Sequence, residues 1–319
     1  MPALPPFHMK AFVLGAGLGT RLQPLTEWLP KPMVPVYHRP LISYAFDHLT
    51  SVKTIDGFVV NTHHYPEAYT AAFPENSFAG LPIEFRHEPV LLETAGGIAN
   101  VADLLGSDPF LVYNGDILSD IPLEPLLTQH RESKNEVTLL LRTEGPGLHI
   151  GLDNTTKRLA DIRQLVDPSA DQYYQFTGIY LVEPGFLARL TPGKKESVIP
   201  IFLDMIRQGD ALGGCVEDRG RWWDLGDEAT YRQVHRDIPN SGFPSYALET
   251  TWQAHCPSAT ISPSAKITDS IVGPDSQVRE NAVLMDAIIW PGGIVAANQS
   301  VASQVIRGDR QTHYQHFFP

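Results

Sequence analysis

The segment Lys10-Ala-Phe-Val-Leu-Gly-Ala-Gly-Leu-Gly-Thr-Arg-Leu-Gln-Pro-Leu-Thr-Glu-Trp-Leu-Pro-Lys-Pro-Met-Val-Pro-Val36 starts as a strand and then departs from every regular element. Ala11 to Leu14 is a short apolar run, the pattern of a buried strand. Gly15, Gly17 and Gly19 follow at once, and residues without a Cβ let backbone N–H groups approach an anion in conformations that other residues avoid. Leu14, Gly15, Ala16, Gly17, Gly19 and Thr20 therefore read as a phosphate cradle. Arg21 adds a permanently charged planar fork suited to phosphate oxygens, and Lys31 a point charge ten positions later. Pro24, Pro30, Pro32 and Pro35 stiffen the return path and block a helix between Thr20 and Val36. Two familiar glycine loops do not fit. A dinucleotide fingerprint needs Gly where Thr20 stands, and a P-loop needs Gly-Lys-Ser/Thr where the chain reads Thr20-Arg21-Leu22. A bare Gly-x-Gly-x-Gly also suits an ordinary strand-to-loop turn; Arg21, Pro24-Leu25-Thr26 and Pro30-Lys31-Pro32 are what make the stretch specific.

With those residues in place, the segment resembles the signature of the sugar-1-phosphate nucleotidylyltransferases, enzymes that join an NTP to a sugar phosphate and release pyrophosphate. The chain is most similar in pattern to the mannose-1-phosphate guanylyltransferase branch. The resemblance implies an α/β fold: a Rossmann-like nucleotidyltransferase domain with a mixed central sheet. It also implies that Gly15, Gly17 and Arg21 hold the triphosphate and that Lys31 touches phosphate near the reacting centre, making Arg21 and Lys31 the catalytic cations.

Composition sets the outer bounds. A chain of 319 residues holds one domain of about 200–250 residues and a smaller one. The excess of 36 acidic over 24 basic residues gives a formal charge of −12, which argues against a nucleic-acid surface. There is no run of about 18 apolar residues for a membrane span, and Met1 to His8 lacks the pattern of a signal peptide, so a cytoplasmic location is expected. Cys215 and Cys256 are too scattered for a metal knuckle and read as plain thiols.

Residues 1–9 read as a tail and 10–240 as the nucleotidyltransferase domain. Strands are expected at 57–61, 83–87 and 110–113, and helices from Pro40, over 67–73, from Thr94 through Leu105 and over 123–132. Strand-like runs at 137–141, 159–165 and 174–182 then predict a mixed sheet. Helices at 184–190 and 198–207, a short strand at 221–224 and a closing helix at 228–236 complete the domain. Residues 241–254 read as a linker. Beyond it, Ile261, Ile267, Val272, Val278, Leu284, Ile289, Val295, Val301 and Ile306 recur at steps of five or six, a period of 17 that neither helix nor alternating strand produces. Small residues stand two positions earlier in most units, as tight corners require. Residues 255–308 thus predict about three coils of three short parallel strands. They look like the hexapeptide-type left-handed parallel β-helix that several of these enzymes carry, read here as a packing or homo-oligomerisation element; 309–319 is a tail.

Joining a sugar phosphate to an NTP brings two anions together, so the site must supply cations and alignment more than acid or base. Mg²⁺ held by one or two carboxylates is the part to find. Asp116, in Tyr113-Asn-Gly-Asp-Ile117, follows a buried strand at its carboxyl end, where open α/β sheets place ligands. Asp224, in Trp222-Trp-Asp-Leu-Gly226, matches the family's second metal carboxylate, whereas Asp227 reads as a helix N-cap. Glu93-Thr94-Ala95-Gly96-Gly97 is a glycine turn opening a helix whose backbone groups would read the base; a plain helix start is the competing reading. Glu93 stands where guanylyltransferases commonly have Gly, and muramate-phosphate uridylyltransferases carry a similar Glu-Thr-Gly-Gly-Gly, so GTP and UTP both stay open. Asn114 completes the expected nucleotide contacts. For the sugar phosphate, the resemblance points to Lys31, Gly115, Thr177 and Gly178; the family's Glu-Lys-Pro lysine is missing, and Arg163 is the candidate to replace it. The leading expectation is GDP-mannose formation. Uridylyl transfer to an N-acetylhexosamine, muramate or glucose 1-phosphate, a catalytically silent nucleotide-sugar-binding subunit, and an acyltransferase built on the β-helix are the alternatives.

Overall fold

The computed structural model describes residues 8–167, 169–170, 172–243 and 253–308. Most of the expected N-terminal tail and linker, and the whole 309–319 tail, lie outside them. A mixed sheet of ten strands organises the first domain, with its parallel centre in the order Leu81–His87, Ile55–Thr62, Met9–Leu14, Phe110–Asn114. Gln172–Val182 pairs antiparallel to Phe110–Asn114 and carries Leu148–Leu152 and Val137–Arg142, and Leu212–Val216 runs parallel to the last of these. The central strands are apolar almost without a break because both faces are covered. Val13, Val60 and Leu111 pack with Leu41, Phe46 and Leu49 of the Leu41–Thr50 helix. Their neighbours Phe12, Val59 and Val112 point the other way, into a core with Ile98 and Phe202.

Three features of this topology position a site. The strands Met9–Leu14 and Phe110–Asn114 end side by side, with Leu14 opposite Asn114, so the glycine loop and Asn114-Gly115-Asp116 leave the sheet together. Gly115 N–H donates to the Leu14 carbonyl at 3.1 Å, and a Cβ on Gly115 would stand 2.6 Å from that oxygen, so only glycine fits. Finally, Trp222–Asp224 pairs antiparallel with Ile117–Ser119, placing Asp224 opposite Ile117 and beside Asp116 although more than a hundred residues separate them in sequence.

Several element boundaries differ from expectation. The helix predicted from Thr94 to Leu105 is two, Glu93–Asn100 and Ala102–Leu105, interrupted at Val101. Thr94 does not cap it; its hydroxyl accepts from Val198 N–H at 2.8 Å, at the start of the Val198–Gln208 helix. The strand predicted over 159–165 stops at Ile162, because Arg163 and Gln164 turn to positive φ and the buried Asp161 carboxylate accepts the amides of Gln164, Val166 and Asp167. The 184–190 segment is 3₁₀ rather than α. The closing helix runs on to Ser241 before Gly242 ends it in the left-handed region. Leu148–Leu152 and Leu212–Val216 were not anticipated, since His149, Gly151, Gly213 and Gly214 blur their apolar pattern.

The 17-residue period is structural. Three parallel sheets form by stacking strands one period apart, for example Thr260, Gln277 and Ile294 on one side and Lys266, Val283 and Ser300 on another. Val272, Val278, Leu284, Ile289, Val295 and Val301 make its interior. The corners are turned by Asp269, Asp275, Asn281, Asp286, Gly292, Asn298 and Ser303, all at positive φ and each three positions before an interior aliphatic. Asp, Asn and Gly tolerate that conformation best. The small residues noted in the sequence come one position later, and several of them (Ser270, Ser276, Ala282, Ala287) are buried.

This solenoid packs onto the first domain through the fully buried Trp290, whose Nε1 donates to the Tyr231 hydroxyl at 2.9 Å; that hydroxyl in turn donates to the Pro35 carbonyl. Asp286 accepts from Arg232 and Arg236, and Arg307 donates to the Pro24 carbonyl at 2.6 Å. Tyr231→Phe keeps the ring but strips a buried donor and a buried acceptor of their shared partner, so it should lower unfolding stability by about 1–3 kcal/mol. Urea titration followed by tryptophan fluorescence measures this. A midpoint equal to the parent's would mean that the hydroxyl contributes nothing to the junction.

Candidate active site

The glycine loop is held from behind. Gly15 N–H donates to Asn61 Oδ1 at 2.8 Å, and the Tyr69 hydroxyl donates to the Gly15 carbonyl at 2.8 Å. Burial, followed by the nearby Asp116 charge, pushes the Tyr69 phenol far up, so it remains a donor. A Cβ on Gly15 would stand 2.5 Å from the Asn61 carbonyl, and Gly19, at φ 61°, fits closely over Lys31 and Thr26. Those two glycines serve packing and the turn. Gly17 alone of the three has open space where a Cβ would be, which leaves it free for close approach of a ligand. The amide orientation of Asn61 is fixed by its other end, since Nδ2 donates to Glu88 Oε1 at 2.8 Å. Glu88 is fully buried, and its second oxygen accepts from Leu92 N–H at 3.0 Å, so one carboxylate ties the glycine loop to the segment that opens with Glu93. Sequence reading missed both Asn61 and Glu88; the one available signal was a polar residue near the end of one strand and another just past the end of a second.

Opposite the loop, Lys31 begins a 3₁₀ turn between Pro30 and Pro32 with its stem buried. Its ammonium donates to Asp116 Oδ2 at 2.8 Å and lies 3.4 Å from Asp224 Oδ1. The two carboxylate oxygens are thus no farther apart than those distances together, about 6.2 Å. Arg21 reaches the same place: a Cβ on Gly226 would be 3.3 Å from its Nη1 and 3.6 Å from Asp224 Oδ2. Two anions and two cations from four parts of the chain share one centre. Among the described residues there is no cluster of three or more His, Cys, Asp or Glu side chains suited to a metal. A pair of carboxylates is nevertheless the donor set Mg²⁺ uses when substrate phosphates and water supply the rest.

A cavity of about 450 Å³ extends from this centre. Leu14, Ala16, Gly17, Gly19, Thr20, Arg21, Lys31, Asn114 and Asp116 line it, together with Glu93 and Thr94. Pro32, Asn61, Leu91, Ser197 and Gly226 complete the wall and were not expected as contacts. Other expected residues are not on it. Ala95 and Gly96 are buried with both amides donating to the Glu196 carbonyl, and a Cβ on Gly96 would meet the Lys194 carbonyl at 2.3 Å. Their backbone is therefore engaged by the protein rather than turned to a base. Thr177 is fully buried and donates to the Leu140 carbonyl at 2.8 Å, while its own carbonyl accepts from Trp222 Nε1 at 2.8 Å. Gly178, at φ 82°, and Gly115 sit behind the wall, the first closely against Asn114. Arg163 lies exposed on the turn after its strand, with its amide donating to the His149 carbonyl. Asp227 caps the closing helix in a capping box, and the Thr230 amide and hydroxyl hold its carboxyl below the usual range.

Comparison with known proteins places the chain in a family. The Nucleotidyl transferase family matches residues 10–241. The mannose-1-phosphate guanylyltransferase of Mycobacterium tuberculosis is 32% identical over 297 residues, covering 91% of this chain and 82% of that protein. The N-acetylmuramate alpha-1-phosphate uridylyltransferase of Neisseria meningitidis is 31% identical over 223 residues, 68% of this chain and 93% of that one. Among solved structures, HddC from Yersinia pseudotuberculosis, complexed with GMP-PN, superimposes with a TM-score of 0.58 at 18% identity over 72% of this chain and 99% of that one, a likeness of fold. With the family match spanning the whole of the first domain, the chain belongs to the nucleotidyl transferase family.

Proposed function

We propose that the protein transfers a nucleotidyl group from an NTP to a sugar 1-phosphate with release of pyrophosphate, and that GTP and mannose 1-phosphate are its substrates. The observation that carries this reading is the meeting of Lys31, Asp116 and Asp224 at the edge of the glycine-loop cavity. A phosphate oxygen of the sugar 1-phosphate is already a nucleophile; it forms a bond to the α-phosphorus as the bond to pyrophosphate breaks, and no proton need be removed. Gly17, Thr20 and Arg21 would hold the triphosphate, and Lys31 would neutralise charge at the reacting phosphorus. Asp116 and Asp224 would hold Mg²⁺, which supplies further charge neutralisation when bound. The choice of GTP and mannose 1-phosphate is supported by the mycobacterial relative's name and coverage. The neisserial relative makes UTP with a muramate phosphate the second reading. With substrates of this kind we place the enzyme in the cytoplasm.

Pyrophosphate release should be measured with each NTP against mannose, glucose, N-acetylglucosamine and N-acetylmuramate 1-phosphates in Mg²⁺. GTP with mannose 1-phosphate is expected to give the highest kcat/KM. A UTP-dependent maximum would transfer the assignment to the second reading, and no release from any pair would leave a binding subunit.

A further inference from the structure

We infer that the solenoid takes part in the anion cradle: Arg307, which follows the solenoid strand Val305–Ile306, is a positioning residue for the turn that carries Arg21. That turn, Thr20–Leu22, is a single 3₁₀ turn with Thr20 and Arg21 exposed and only Leu22 buried, so its own packing does little to fix Arg21. It is anchored at its two ends instead. Ahead of it, the Gly19 carbonyl accepts from the Leu22 amide at 2.9 Å and from the hydroxyl of the buried Thr26 at 2.8 Å. Behind it, the Leu22 carbonyl accepts from the Leu25 amide at 2.9 Å, and the Pro24 carbonyl accepts from the Glu27 amide at 3.1 Å and from Arg307 Nη1 at 2.6 Å. The first anchor lies within the first domain, and the second is completed by the solenoid.

Arg307 is itself fixed by what surrounds it. Its guanidinium carbon lies 5.7 Å from the centroid of the Trp28 ring, and Nη2 is 3.3 Å from Glu27 Oε2. The Glu27 side chain is largely exposed, so that ion pair adds little, and the hydrogen bond to the Pro24 carbonyl and the stacking on Trp28 are the contacts that matter. A planar fork can make both at once. Trp28 in turn meets the buried Trp290 edge-on with ring centroids 6.4 Å apart, and the Tyr231 hydroxyl that accepts from Trp290 donates to the Pro35 carbonyl. The segment from Pro24 to Pro35, which carries Lys31, is therefore gripped from the solenoid at its start and in its middle, and at its end through Tyr231. Docking of the solenoid and placement of the two cations are one packing problem, and a cation displaced by a fraction of an ångström holds a phosphate less well.

This inference rests on the proposed role of Arg21 in holding a triphosphate, and inorganic tripolyphosphate, which has neither base nor sugar, reads that role without turnover. Titration calorimetry with tripolyphosphate should show Arg307→Met, which keeps the stem over Trp28 and loses the donor, binding about five-fold more weakly than the parent, the worth of one hydrogen bond. Arg307→Lys, which keeps a charged donor, should recover most of the loss. Thr26→Val removes the other anchor without changing charge and should cost a similar factor. The double variant Thr26→Val with Arg307→Met should bind little worse than either single one, because freeing either end already frees the turn. A loss that came only from the missing positive charge of Arg307 would instead multiply with that of Thr26→Val. An Arg307→Met protein that binds tripolyphosphate like the parent, a fully multiplicative double variant, or a parent that does not bind tripolyphosphate overturns the assignment. Absence of pyrophosphate release with every NTP would count against the transferase reading, and the tripolyphosphate affinities would still decide the role of Arg307.

Discussion

Asp116→Asn is expected to fold like the parent and to lose about 10³-fold in kcat for pyrophosphate release. The side chain is isosteric, and an amide oxygen still accepts from Lys31, so the hydrogen bond that positions it at 2.8 Å survives. What disappears is one negative charge of a site built on balance: two carboxylates and two cations around a centre where phosphates must collect. With that charge gone, Mg²⁺ would lose half of the protein donor set proposed for it, and the excess of Arg21 and Lys31 would bind triphosphate in a geometry without metal. KM for the NTP should therefore change far less than kcat, and the Mg²⁺ concentration for half-maximal rate should rise. Asp224→Asn should behave alike, and the double variant should fall little below either single one, because residues that act as a unit are not additive. Steady-state rates across a Mg²⁺ series decide it. An Asp116→Asn enzyme retaining more than about a tenth of parental kcat at saturating metal would remove the paired-carboxylate mechanism.

The parts of this site that could be read from sequence are those whose residue type is itself the chemistry. Gly17, Arg21, Lys31, Asp116 and Asp224 carry charge or open backbone, occur in specific local patterns, and the fold brings them to one centre. Asn61 and Glu88 were invisible because their role comes from strand pairing: Asn61 matters since Ile55–Thr62 lies beside Met9–Leu14, with Leu14 opposite Asn61. Glycine misled in the other direction. Gly96 and Gly17 look alike in a sequence, yet one has a carbonyl where its Cβ would be and the other has open space. Arg163 shows a different limit. Its place on a strand was inferred from an apolar run, and the capture of three backbone amides by Asp161 ended that strand one residue too soon. The solenoid was legible because its period is a property of composition along the chain. Its true corner residues, Asp, Asn and Gly three positions ahead of each aliphatic, were equally periodic but are polar and passed as ordinary surface.

Lys31→Met should reduce kcat by about 10³-fold as well, but through a different physical route that a second measurement separates. Methionine fills the volume of the buried stem between Pro30 and Pro32, so the 3₁₀ turn and its packing should persist. Removing the ammonium leaves Asp116 and Asp224 as neighbouring carboxylates with their shared cation gone, a like-charge pair that disfavours the folded state. A divalent ion that both carboxylates can hold relieves that repulsion. Hence the Lys31→Met protein should melt below the parent in EDTA and regain most of the difference on adding Mg²⁺, whereas the parent, whose carboxylates already share a cation, should respond weakly. The opposite signs in metal dependence distinguish it from Asp116→Asn, which needs more Mg²⁺ and is not destabilised by chelation. Lys31→Arg should restore the melting temperature without restoring kcat, because a planar fork supplies charge but cannot occupy the position of a compact ammonium wedged between two carboxylates. Melting curves in EDTA and Mg²⁺ beside single-turnover rates provide both readouts. If Lys31→Met melted identically in the two conditions and still turned over at parental rate, the lysine would be neither the counter-charge of the carboxylates nor the neutralising group at the reacting phosphorus.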